Sequence, residues 1–154
     1  MVSLFEDARK FQVELGCRED KTIVIPNGMD PQKFADIPGK AQDDPYINVG
    51  ALLRVVPIKD IKTLINAFNP KLKLWIMGSL EQDEDYAREC IQLVQELKVP
   101  DVEFTGIIQA RDYIGRVDMM ILSSLSEGQP IAILEGFTAK KPFITTNVGN
   151  CKGL

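Results

Sequence analysis

The sequence contains no histidine. That removes Ser–His and Cys–His catalytic pairs and most zinc sites, leaving any proton transfer to carboxylates, lysine, tyrosine or the substrate itself. Cysteine is scarce. Cys17, Cys90 and Cys151 are odd in number and widely spaced, which fits neither a disulfide framework nor a zinc cluster, so all three read as reduced thiols. No apolar run approaches the roughly 18 residues of a membrane helix, and the N-terminus lacks the basic-then-apolar order of a signal peptide, so the expected location is the cytoplasm. Cations are outnumbered, 18 Lys and Arg against 22 Asp and Glu, which argues against a nucleic-acid partner. Any anionic ligand must be met by a few local cations. There is no Gly-rich dinucleotide fingerprint and no Walker loop, which disfavours an NAD-dependent dehydrogenase or a P-loop ATPase.

What remains is an ordinary globular composition, 154 residues with 45% hydrophobic and 26% charged, enough for one domain with a real core. Residues 1–14 carry an amphipathic pattern that Gly16 would end, and residues 21–25 are a short β-branched run closed by Pro26-Asn27-Gly28. Residues 29–45 are rich in Pro, Asp, Gly and Lys and read as a surface loop or linker with Phe34 as its packed residue. A boundary is expected there, separating residues 1–45 from a domain at 46–154. Within that domain strands are expected at 46–53, 72–77, 102–105, 117–122 and 143–146. Helices are expected at 60–68, 81–97, 109–115 and 130–140. Short connections between alternating strands and helices imply an α/β fold, a Rossmann-like parallel sheet with helices on both faces. Such sheets bind ligands at the carboxyl ends of their strands, where Arg54, Gly78, Gly106 and Glu127 fall.

Two stretches carry chemistry. Arg54 and Lys59 stand five apart around Pro57 at a strand's end, a pair suited to a diphosphate, although two solvated loop charges would look the same. In the run from Ser126 to Phe137, Glu127 would lie in a loop and Glu135 in a helix starting near Pro130, about 7 to 8 Å beyond its start. Two carboxylates so spaced could grip two parts of one elongated ligand, with the free N–H groups of the first turn facing an anion between them. Trp75 reads as core or sheet edge and Tyr113 as packing. The acidic start of the 81–97 helix reads as solvated, not as a metal site.

The succession Val24-Ile25-Pro26-Asn27-Gly28-Met29-Asp30, Gly50 to Lys59, Phe104-Thr105-Gly106, Ser126-Glu127-Gly128-Gln129-Pro130 through Glu135-Gly136, and Lys141 to Thr146 resembles the C-terminal half of retaining glycosyltransferases of family four, which have the GT-B architecture. The wording Ser-Glu-Gly-Gln-Pro-Ile and Val-Gly-Asn-Cys-Lys is most similar to the bacterial exopolysaccharide (pellicle) glucosyltransferases. The resemblance implies that Arg54 and Lys59 bind the donor's diphosphate. It implies that Glu127 lies beside the transferred sugar as a positioner and electrostatic stabiliser, with the N–H groups of Gly128 and Gln129 near sugar or phosphate. Glu135 would accept from the two ribose hydroxyls, and Gly106 and Ile107 would meet the base. Gly50, Gly78, Pro130 and Ile131 complete the expected donor-binding set. The implied ligand is a nucleotide-sugar, with a UDP-sugar expected, and no metal or other cofactor. Acceptor sugar, glycan or lipid, and any peripheral membrane association, would involve an N-terminal domain.

Two departures stand out. Asp60 occupies a position where the family commonly has glycine, and as a preferred N-cap residue it is expected to cap the following helix. One extra residue separates Gly50 from Arg54. The expected protein is thus a donor-binding domain of a longer hexosyl-transferring enzyme of polysaccharide or glycoconjugate synthesis, binding nucleotide weakly and transferring nothing alone. The alternatives are a non-catalytic nucleotide-binding or interaction module, or a GT-B relative such as a sugar-nucleotide epimerase. An epimerase would be expected to carry catalytic histidines, and this chain has none.

Overall fold

The computed structural model describes residues 1–69 and 71–154. The chain opens with β1 (Val2–Ser3), α1 (Glu6–Glu14) and β2 (Ile23–Val24), the two strands pairing in parallel. The helix expected from residue 1 thus begins only at Glu6. β-Branched Val2 and buried Ser3 are taken into the strand pair, and the Ser3 hydroxyl donates to Gln12 at 2.6 Å. Gly16, at φ +99°, ends the helix where expected. A 3₁₀ turn at Pro31–Phe34 buries Phe34, the one packed residue expected of this stretch.

The domain proper follows as β3 (Ile47–Leu52), α2 (Ile61–Asn66), β4 (Leu72–Met77), α3 (Glu84–Leu97), β5 (Val102–Gly106), α4 (Ala110–Ile114), β6 (Met119–Leu122), α5 (Ile131–Thr138) and β7 (Phe143–Thr145). The five strands β3 to β7 form one parallel sheet in the order β5-β4-β3-β6-β7. It is the Rossmann-like arrangement that the resemblance implied for one half of a GT-B fold. Strand β3 is central, and the chain winds first to one side of it and then to the other. The crevice between β3 and β6 is therefore the switch point at which such sheets bind ligands.

Both faces of the central strands are covered. Val49 and Ala51 of β3 and Leu74 and Ile76 of β4 pack with Ile61, Leu64 and Ile65 of α2 and Tyr86, Ala87 and Cys90 of α3. Met77, Met120 and Ile114 join Phe34 and Val117 on the other face. Double-sided burial is why these strands are written as nearly continuous apolar runs. Gly50 sits in mid-strand for the same reason: a Cβ there would stand 2.8 Å from Met77 Cε and 3.1 Å from Met120 Sδ.

Asp60 does not cap α2. It adopts a left-handed conformation, φ 46° and ψ 49°, and its side chain makes no capping hydrogen bond. The chain reverses sharply out of the 3₁₀ turn at Pro57–Lys59, and that reversal demands a positive φ. Glycine adopts this conformation freely and aspartate with some strain, which accounts for the glycine of the family pattern. Asp60→Gly is expected to leave stability unchanged or raise it by up to about 1 kcal/mol, in contrast to the loss that removing a real cap would cause. Urea unfolding of the two proteins distinguishes these outcomes.

Candidate functional site

A cleft of about 530 Å³ opens at the switch point, lined by residues from the ends of β3, β4 and β6 and the first turns of α5. The loops that form it are tied laterally. Val55 N–H donates to the Ser79 carbonyl at 3.0 Å, Gly78 N–H to the Gly106 carbonyl at 2.9 Å and Leu125 N–H to the Ile58 carbonyl at 2.9 Å. Gly78 approaches so closely that a Cβ would stand 1.8 Å from the Leu53 carbonyl oxygen. Successive strand ends thus present one continuous rim.

Arg54, the first residue beyond Leu53, is exposed at this rim and donates to Gln82 Oε1 at 3.1 Å. Lys59 is held deeper. The hydroxyl of Ser123, at the end of β6, donates to the Lys59 carbonyl at 2.9 Å, and the Lys59 ammonium pairs with Glu127 Oε1 at 2.5 Å. The Ser124 hydroxyl donates to the same oxygen at 2.6 Å, so the Glu127 carboxylate is fixed through Oε1. Among the described residues none bonds to Oε2, which remains an acceptor for a ligand.

Glu135, one turn into α5, is half-buried on the same cleft. Desolvation raises its carboxyl above the ordinary glutamate value, and among the described residues no ion pair or hydrogen bond offsets that cost. A second cavity of about 560 Å³ meets the first at Ala110 and Glu135 and is lined by Met29, Lys33, Phe34, Ile108, Gln109 and Arg111. Glu135 therefore stands between two spaces, one bordered by cations and glutamates and the other of mixed apolar and polar lining with two cations at its wall.

Of the residues expected at the site, the cleft gathers Arg54, Lys59, Gly78, Glu127, Gln129, Pro130, Ile131 and Glu135. Four stand elsewhere. Gly50 is packed within the sheet, Gly106 ends β5 with φ +69°, Ile107 beside it is 75% exposed, and Gly128 lies in the loop outside the cleft wall, its carbonyl accepting from Asn150 N–H at 2.9 Å. The Gln129 side chain is buried and accepts from Asn27 N–H at 2.5 Å, while Asn27 Nδ2 donates to the Gln129 carbonyl at 3.0 Å. Asn27 is thus a cleft residue that sequence reasoning treated as a turn. Its signal was the position of Pro26-Asn27-Gly28 just past the short strand β2. Ser123 and Ser124 also belong to the site, although two serines at the end of an apolar strand carry no pattern of their own.

No curated protein sequence matches the chain at a significant level. Among solved structures, HepE of Anabaena in complex with UDP-glucose is similar with a TM-score of 0.84 and 21% identity, over 99% of this chain and 46% of that one. A glycosyltransferase from Rickettsia africae gives 0.83 and 19%, over 99% and 45%. Sucrose-phosphate synthase from Thermosynechococcus elongatus gives 0.82 and 22%, over 99% and 41%. This chain spans less than half the length of each. Identities this low establish a shared fold. The family rests on a sequence model, Glycosyl transferases group 1, which matches residues 46–154. Covering the whole sheet and both glutamates of the cleft, that match makes the chain a member of the group 1 glycosyl transferases.

Proposed function

We propose that the chain is the donor-binding domain of a retaining, family-four glycosyltransferase that transfers a hexosyl group from a nucleotide-sugar, without a metal, in polysaccharide or glycoconjugate synthesis. Residues 46–154 form the donor domain and residues 1–45 the junction with an acceptor-binding domain. The observation that carries this reading is the meeting of Arg54, Lys59, Glu127 and Glu135 in one cleft at the switch point of the sheet. A UDP-sugar is the favoured donor, since HepE is described in complex with UDP and with UDP-glucose.

Each role follows from chemistry. Arg54 and Lys59 bind the diphosphate and stabilise the charge that develops as it departs, a forked donor and a point charge on the same group. Glu127 orients the sugar through hydroxyl donors. Glu135, with two acceptor oxygens on one carboxylate, takes the vicinal ribose hydroxyls, and the adjoining cavity receives the base. No protein nucleophile is invoked: the departing diphosphate helps deprotonate the acceptor in a front-face substitution. Gly106 and Ile107 would approach the base by their backbone, and the N–H groups of Gly128 and Gln129 the sugar or phosphate.

Titration of UDP, UDP-glucose and GDP-mannose into the labelled protein, followed by NMR, tests the reading. Shifts should concentrate at Arg54, Lys59, Glu127 and Glu135 with a nucleotide preference. An absence of binding to all three at millimolar concentration would sink it.

Glu135 yields a separate expectation. Burial raises its folded-state pKa above the unfolded one, so ionised Glu135 takes stability away above that value and ceases to do so as the pH falls through it. Accepting from two hydroxyls needs the ionised form, so nucleotide affinity should decline across the same acid window. Glu135→Gln removes the buried charge and one acceptor. It should raise the thermal midpoint at neutral pH while weakening UDP about tenfold, a pairing checked by calorimetry on one sample.

A further inference from the structure

Lys59 and Glu127 are paired inside the cleft, with side chains 13% and 9% exposed. A nucleoside diphosphate needs that lysine. We infer, resting on the donor-site reading, that Glu127 competes with the diphosphate for Lys59 and that the hydroxyls of the donor sugar decide the competition. The lysine stem is flexible and its three donors rotate, so the ammonium can turn from carboxylate to phosphate. Glu127 is then left nearly buried, with the neutral Ser124 hydroxyl on Oε1 as its one partner among the described residues. An uncompensated buried charge opposes that exchange. Sugar hydroxyls donating to Oε2 supply the compensation, and free UDP has no such sugar.

The site thereby distinguishes loaded donor from spent diphosphate. While the sugar is attached, Lys59 is released to the phosphates. Once it has been transferred, Glu127 retakes Lys59 and loosens the diphosphate, which favours product release. Ser124 is a positioning residue here. It is 1% exposed, its carbonyl accepts from Thr146 Oγ1 at 2.6 Å, and its hydroxyl occupies Oε1 so that Oε2 is left for the ligand.

Isothermal titration of UDP and of UDP-glucose into the 154-residue chain tests the exchange. Glu127→Gln cancels the charge that holds Lys59, so UDP should bind about fivefold tighter while UDP-glucose binds about fivefold weaker. The ratio of the two affinities should collapse. Ser124→Ala should move the ratio the opposite way, because Glu127 then depends wholly on the sugar when Lys59 leaves. A merely structural pair would shift both ligands by one factor, and that result in Glu127→Gln overturns the exchange. If Glu127→Gln does not fold by circular dichroism, Ser124→Ala decides alone: a raised ratio supports the exchange and an unchanged ratio overturns it. Failure of the unchanged protein to bind either ligand overturns the donor-site reading itself.

Discussion

Gly149→Ala is expected to lower the midpoint of thermal unfolding by about 8 to 15 °C and to weaken binding of UDP-glucose, although Gly149 lies outside the cleft wall. Its φ is +53°, and a Cβ there would stand 1.8 Å from the Glu127 carbonyl oxygen and 2.9 Å from that of Gly128. Both are backbone atoms, so no rotamer change relieves the clash. The loop carrying Glu127 must be displaced, and with it the ion pair to Lys59. Left-handed strain adds to the cost, giving about 3 to 5 kcal/mol in total. Gly106 is the control. Its φ is also positive, at +69°, but nothing lies within 4 Å of the position a methyl group would take, so Gly106→Ala should lose only about 1 kcal/mol. A Gly149→Ala protein that melts within about 2 °C of its parent and binds UDP-glucose normally would refute the close packing of residue 149 on the Glu127 loop.

Arg54→Ala should show the reverse profile. The side chain is exposed and its hydrogen bond is to Gln82, so folding loses almost nothing and the thermal midpoint should stay within about 1 °C. If the guanidinium stabilises the leaving diphosphate, transfer by a full-length enzyme carrying this domain should fall about a hundredfold or more, and UDP affinity of the isolated chain about tenfold. Arg54→Lys should restore part of the affinity and little of the rate, because a point charge lacks the fork. Equal turnover by a folded Arg54→Ala enzyme removes Arg54 from the mechanism.

The sheet was legible because burial on both faces forces a simple text. Strand β4, expected at residues 72–77, occupies Leu72–Met77, and the i, i+3, i+4 pattern of Ile61, Leu64 and Ile65 does face the core. Where the sequence misled, a local rule met a non-local demand. Asp60 has the chemistry of a cap, but the chain's direction out of the 3₁₀ turn dictates a left-handed backbone there. Val2 and Ser3 fit a helical pattern until Ile23 and Val24 offer them a strand to pair with. At the site, charged residues at strand ends could be picked out one by one, because fold topology alone brings strand ends together. Hidden from that reasoning was everything neutral that holds them: the Asn27–Gln129 clasp, Ser123 on the Lys59 carbonyl, Ser124 on Glu127. Amides and hydroxyls of this kind are common throughout any chain, and only their partners mark them out.

The Asn27–Gln129 clasp joins residues 102 apart in sequence, and the Lys59–Glu127 pair joins residues 68 apart. Contacts of such separation are made late in folding, since the loop entropy they cost must be met before they give anything back. Units such as β3-α2-β4 can assemble from near neighbours, whereas the cleft has no existence until β6 has docked against β3 and the chain's first thirty or so residues have returned to α5. Refolding intermediates should therefore acquire sheet before they acquire affinity for nucleotide, and recovery of binding should lag recovery of the circular dichroism signal.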